Sequence, residues 1–317
     1  MSNVVVAGSF NVDHVWRCDA LPVAGATLAG SYHTGPGGKG FNQAVAARRA
    51  DAKTHFICAL GEDAGGALAR QLTDDDGIDL IAHAASEPTG TAGIYVDRQG
   101  RNSIVIGAGA NGQLTADFIQ HKRAVIAKAK VLLVQLESPL PAITHALTLA
   151  RENGVITLLN PAPVNAATNT QLLTLADIVT PNETEFAAML SRHVGERIDA
   201  SQIATLDNAR LHALCRELSS HSVIITLGAD GVFVSHAPKQ QWGDSQISYR
   251  LKAESVQVVD TTGAGDAFNG ALAAALAQAP NAPFIEKVRF ANHYAARSTE
   301  NAGAALAMPW LSYSSLS

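Results

Sequence analysis

Short apolar runs recur along the chain, separated by segments whose apolar positions have helical spacing. The runs are Val4–Ala7, Thr54–Leu60, Val131–Leu136, Val155–Leu159, Ile178–Thr180 and Val223–Leu227. Each is rich in Val, Ile and Leu and lacks polar alternation, the pattern of a strand buried on both faces. Between runs, positions such as Leu140, Ile143, Leu147 and Ala150 line one face of a helix. Alternation of this kind predicts an α/β fold with a mainly parallel central sheet between layers of helices.

Two segments, about 13–34 and 91–106, break that rhythm. They contain no good helix and read as half-polar strands. Gly93–Val96, the turn Asp97-Arg98-Gln99-Gly100 and Asn102–Ile106 have the pattern of a hairpin outside the main sheet. Together the segments predict a small β appendage serving as a lid or a dimerisation surface. No internal repeat, low-complexity tract or Pro/Ser linker divides the sequence, so residues 1–317 are expected to form a single α/β domain carrying that appendage.

Composition narrows the class further. A chain of 317 residues allows one or two domains at about 150 residues each, and its core needs no disulfide or metal staple. The formal charge of −5 gives no footprint for nucleic acid or an anionic membrane. Three scattered cysteines (Cys18, Cys58, Cys215) make neither a disulfide framework nor a zinc site. The start lacks a signal-peptide pattern and no run is long enough to cross a membrane. A soluble, cytoplasmic protein is expected.

The most informative stretch is Val258 to Gly270, where an extended run enters Gly263-Ala264-Gly265-Asp266 and an Ala-rich helix leaves it. Phe268, Leu272 and Leu276 mark a buried face of that helix. Small residues at a helix N-terminus let backbone N–H groups converge on an anion. Asp266, in the first turn, is placed to accept a hydroxyl proton while those groups hold a migrating phosphoryl charge. Complementing the helix dipole is the plain alternative for an isolated aspartate there.

A second Gly-rich helix entry, Thr34 to Ala47, contains Gly35, Gly37 and Gly40 in G-x-G-x-x-G spacing. It does not follow the first buried strand, and the nearby acid Asp51 comes too early for a dinucleotide fold. It is no P-loop either, because Gly40 follows Lys39 where Ser or Thr is required. Lys39 and Asn42 remain as donors and acceptor suited to a polyhydroxylated ligand.

Together the two motifs resemble the paired signatures of the ribokinase-type carbohydrate kinase family, which also includes fructokinases and adenosine kinases. Supporting strings run through nearly the whole chain: Gly8–Asp13, Gln135–Pro139, Asn160–Pro163, Pro181–Glu185 and Thr226–Gly228. The middle three pull towards the ribose-specific branch. The resemblance implies a three-layer sandwich with a β-strand lid, and ATP-dependent phosphorylation of a sugar's primary hydroxyl, in that branch the 5-hydroxyl of ribose. It implies Asp266 as base and an anion hole from Gly263, Ala264, Gly265 and Asp266. Asn11, Asp13, Gly38, Lys39, Asn42, Glu137 and Asp266 would hold the sugar. Asn182, Thr226, Gly228, Gly265 and Asn292 would lie along the nucleotide, with Asn182 and Glu185 organising Mg2+. It also implies a homodimer joined through the lid strands.

Taken singly, these residues have ordinary explanations: Asp13 as a turn acid, Glu137 as the cap of a helix near Leu140, Asn182 and Glu185 as helix-start residues. The eleven histidines show no metal-ligand spacing. Relatives carry a monovalent-cation site, and the matching positions are Asp260, Thr262 and Gly303, so K+ is a candidate. Ala307 stands where many relatives have Ser, and Asn292 where they often have His. Related kinases of fructose, 2-keto-3-deoxygluconate or nucleosides share this pattern, and a non-catalytic sugar- or nucleotide-binding regulator is the alternative from another class.

Overall fold

The computed structural model describes residues 3–164, 168–238 and 240–315. Nine strands form the main sheet: β1 (Asn3–Ala7), β4 (Lys53–Leu60), β5 (Asp79–Ala84), β8 (Val131–Val134), β9 (Ile156–Leu159), β10 (Ile178–Val179), β11 (Ser222–Thr226), β12 (Val232–Ser235) and β13 (Ser248–Leu251). Their order is β13-β12-β11-β10-β9-β8-β1-β4-β5, and all pair in parallel except β12 and β13. Helices cover both faces, so the mainly parallel α/β arrangement expected from the apolar runs is present. In β1, Val4 and Val6 enter the core under helices Lys39–Arg49, Ala264–Gln278 and Phe284–Ser298. Val5 and Ala7 enter the opposite core under Leu140–Glu152, Glu183–His193 and Asn208–Leu218. With both faces covered, neither can be polar, and each buried valine contributes about 1.5–3 kcal/mol.

The two rhythm-breaking segments join in a separate four-stranded sheet of β2 (Asn11–Cys18), β3 (Gly30–Gly37), β6 (Gly90–Val96) and β7 (Asn102–Gly107), ordered β3-β2-β6-β7. The central pair β2/β6 is parallel and both edges are antiparallel. The β6–β7 turn is fixed by Asp97, whose carboxylate accepts from the amides of Gln99 and Arg101, each at 2.9 Å.

Some local expectations change. The run Val131–Leu136 leaves the sheet after Val134, where the Leu136 amide turns to the Ala162 carbonyl at 2.9 Å. The extended run at Val258 and Val259 pairs with no strand among the described residues and is exposed. The Ala264–Gln278 helix has no outer face: Asp266 to Ala277 are all buried. It is wedged between the sheet and its two neighbouring helices, and its many alanines allow that approach. Gly270 is the closest point, since a Cβ there would lie 2.5 Å from both the Gln43 carbonyl oxygen and the Ala46 Cβ.

Candidate active site

Parallel strands deliver their following loops to one edge of the sheet, and the two Gly-rich helix entries meet there. Gly263, in the left-handed conformation at φ 77°, turns the chain into the Ala264–Gln278 helix. The amides of Gly263, Gly265 and Asp266 meet no acceptor among the described residues, whereas that of Ala264 bonds the Thr261 carbonyl at 3.2 Å. The expected anion hole therefore offers three free amides rather than four. Asp266 is buried, with Asn42 donating to Oδ2 at 2.9 Å and Gln43 to Oδ1 at 2.8 Å. Burial pushes its carboxyl above the ordinary aspartate range; the Lys39 charge and the two amide donors oppose that shift.

Around Asp266 lies a polar cluster from four further segments. Gly38 caps the Lys39–Arg49 helix. Burial works against the Lys39 ammonium, but Asp266, Glu137 and Glu185 together hold it above the usual lysine value. Glu137 does not cap the Leu140 helix, which begins at Pro139 without a side-chain cap. Its Oε2 instead accepts from Ser9 Oγ at 2.6 Å and the Lys39 amide at 3.0 Å. Asn11 accepts from Asn111 at 2.8 Å, and Asn111 also grips both backbone groups of Phe10. No group among the described residues donates to the Asp13 carboxyl, which burial and then Glu137 push up to about 7. The Oδ1 atom of Asn42 is likewise buried without a donor. The cluster thus presents unpaired acceptors beside a fixed ammonium, the set a polyol would satisfy.

On the other side of the Gly263–Asp266 turn opens a cavity of about 660 Å³. Asn182, Thr226, Gly228, Gly265 and Asn292 all line it, as does Phe268. Asn292 Nδ2 donates to the Lys252 carbonyl at 2.7 Å. Asn182 and Glu185 form a reciprocal helix cap, with bonds of 2.9 and 2.8 Å, so the capping explanation describes their geometry. Burial raises the Glu185 carboxyl. Asp260, Thr262 and Gly303 also converge: Asp260 accepts from the Thr262 amide and hydroxyl at 2.9 and 2.6 Å and from the Gly303 amide at 3.0 Å. Those bonds outweigh burial and hold its carboxyl low.

This geometry has counterparts. Residues 1–311 match the pfkB family carbohydrate kinase pattern. The chain belongs to that family. It is 39% identical over 309 residues to a ribokinase of Haemophilus influenzae, covering 96% of this chain and 95% of the relative. A ribokinase of Mus musculus is 37% identical, with 97% and 92% covered. Among solved structures, an Arabidopsis thaliana ribokinase complexed with ribose and ATP superposes with a TM-score of 0.81 at 30% identity, covering 99% and 96% of the two chains. The protein is accordingly an ATP-dependent carbohydrate kinase.

Within the candidate site, the sequence assigned no individual role to Ser9, Gln43, Asn111, Gln135, Asn160, Thr180 and Asn269. Gln135 donates to Gln43 Oε1 at 2.5 Å, and Gln43 Nε2 donates to Asn160 Oδ1 at 3.0 Å as well as to Asp266. Asn160 donates to the Thr180 carbonyl at 3.0 Å, Thr180 to Asn269 at 2.5 Å and Asn269 to the Gly265 carbonyl at 2.8 Å. The available signal was positional: Gln135, Asn160 and Thr180 each follow a buried strand immediately, where an apolar run ends in a polar residue.

Proposed function

We propose that this kinase transfers the γ-phosphoryl group of ATP to the 5-hydroxyl of D-ribose, with Asp266 as general base. The observation that carries the reading is the position of Asp266, between a cluster of unpaired polyol partners and the cavity lined by Asn182, Thr226, Gly228 and Asn292. The names of the relatives supply the substrate. The sugar is taken by Asn11, Asp13, Gly38, Lys39, Asn42 and Glu137. Fixed partners for each hydroxyl give discrimination, because a ligand lacking one leaves a buried group unpaired. Asp266 accepts the hydroxyl proton as its oxygen bonds to phosphorus and the bond to the departing ADP oxygen breaks. The free amides at the helix start, with the positive end of the dipole, stabilise the charge spread over the transferring group.

The donor set suits Mg2+ held mainly by phosphates and water: Glu185 is a single carboxylate with one oxygen committed to its cap. Asn182 and Glu185 would hold the ion, which would neutralise phosphate charge. For a monovalent cation such as K+, Asp260, Thr262 and Gly303 are the proposed set, with buried Ala307 adding no side-chain oxygen; comparing turnover in potassium and sodium salts tests it. The chain is proposed to act as one domain, with the four-stranded sheet as the lid excluding water. The same sheet carries exposed Tyr32, Ile104, Val105 and Ile106, which supports a homodimer through the lid strands; light scattering showing a monomer removes that part. Among the described residues no helix is long and apolar enough to cross a membrane, in keeping with the proposed cytoplasmic location.

The deciding experiment is ADP release across ribose, deoxyribose, fructose, 2-keto-3-deoxygluconate and adenosine, with Asp266→Asn alongside. Ribose should have the highest kcat/KM and the variant should be nearly inactive. If another substrate dominates, the assignment to ribose is wrong.

A further inference from the structure

We propose that Gln43 is a positioning residue for the phosphoryl-transfer step, holding the Asp266 carboxylate in its reactive orientation from a place no substrate can reach. Gln43 has no exposed surface. Its amide orientation is dictated at both ends. Asn160 Nδ2 is committed to the Thr180 carbonyl, so Asn160 presents its oxygen to Gln43. An ionised carboxylate also only accepts, so Gln43 must turn its NH2 group to both, spending one hydrogen on each. Its oxygen is then left to Gln135, the one amide that donates to it. The chain of bonds has a single direction, anchored at a backbone carbonyl.

Gln135 marks where this arrangement acts. Its own Oε1 is buried without a partner among the described residues, an unfavourable situation. What the side chain does supply is the bond that locks Gln43. Gln43 in turn occupies one lone pair of Asp266 Oδ1, and Asn42 one of Oδ2. The carboxylate plane is thereby fixed and its remaining lone pairs are left for the attacking hydroxyl. Misplacing a catalytic group slightly costs rate while leaving binding intact. Lys39, Glu137 and Glu185 are the charged groups around Asp266; none of them is hydrogen-bonded to Gln43.

The inference rests on Asp266 being the base, so both are tested together. Full-length Gln43→Met and Asp266→Asn would be assayed with ATP and the sugar turned over fastest in the panel above. Q43M should lower kcat about 10–100-fold, as for a lost bond to a charged group, with sugar KM altered less than about threefold. Removing a donor from the ionised carboxylate should also move the acid limb of kcat to higher pH. Any other pattern in Q43M, including kcat and KM changing together or an unmoved limb, overturns the proposal. If Q43M does not fold, Gln135→Met decides, with a smaller kcat-only loss in the same direction expected and unchanged kcat overturning it. Wild-type turnover in D266N brings down the base reading itself, whereas an inactive D266N beside an unaffected Q43M brings down only the role of Gln43.

Discussion

The two sides of the Gly263–Asp266 turn are built differently. On the proposed sugar side, Asn42, Gln43, Gln135, Asn160 and Asp266 are buried and joined by direct side-chain bonds. On the proposed nucleotide side, much of the wall is the irregular segment from Ala253 to Thr261, where Val258 is 61% and Val259 65% exposed in this structure. A reacting hydroxyl must be aimed, and aiming needs side chains with one available rotamer and no competing water. A nucleotide presents a large face and several phosphates, so an open, irregular wall is sufficient to hold it.

The sharpest way to break this contrast is at Asp266, the proposed base. Asp266→Asn keeps the shape and can no longer take a proton, so kcat should fall by about 10²–10⁴-fold, the range for lost general acid–base catalysis. A variant that keeps most of its turnover in a steady-state assay refutes the rigid-side reading. The next effect is on binding. Asp13→Asn removes an unpaired acceptor, and sugar KM should rise about 10–100-fold with a smaller change in kcat. Across the turn, Asn292→Ala should be mild. A change in KM for ATP of about threefold or less, with kcat intact, is expected of one weak contact in an open wall; a collapse in kcat would mean that this side is also tightly organised.

The smallest effect is thermodynamic. Burial and Glu137 raise Asp13 from 3.8 to about 7, so the folded state binds its proton more tightly than the unfolded chain does. Its contribution is therefore full below about pH 4 and is lost as pH rises through about 7. Asp13→Asn should flatten that slope and raise Tm at pH 8 by roughly 2–4 °C for each kcal/mol recovered. A parallel pair of Tm-against-pH curves would show that Asp13 is not strained by its surroundings. The same substitution is thus expected to stabilise the protein while weakening its hold on sugar, a trade common at binding sites.

How far the sequence could be read follows the same division. The strands buried on both faces stood out as apolar runs, and the Gly263–Asp266 turn stood out as a cluster of small residues at a helix start. β5, β12 and β13 carry half-polar or very short patterns that local spacing does not distinguish from loops. The internal support of Asp266 was silent for another reason. Gln43 and Gln135 are 92 positions apart, and Gln43 and Asp266 are 223 apart. A lone glutamine or asparagine at a strand end acquires meaning only when the fold brings its partner. At Glu137 the plain local alternative, a helix cap, is the one that gives way, to distant bonds with Ser9 and Lys39.

The contact at Gly270 has a consequence for genetics. Any side chain there must push the Lys39–Arg49 helix away from the Ala264–Gln278 helix, beginning at the backbone of Gln43. The two signature segments would separate by a fraction of an ångström at the point where Asn42 and Gln43 reach Asp266. In a selection for growth on the sugar, alleles at position 270 would group with lesions in Asp266 itself, although Gly270 lies in the packing between two helices.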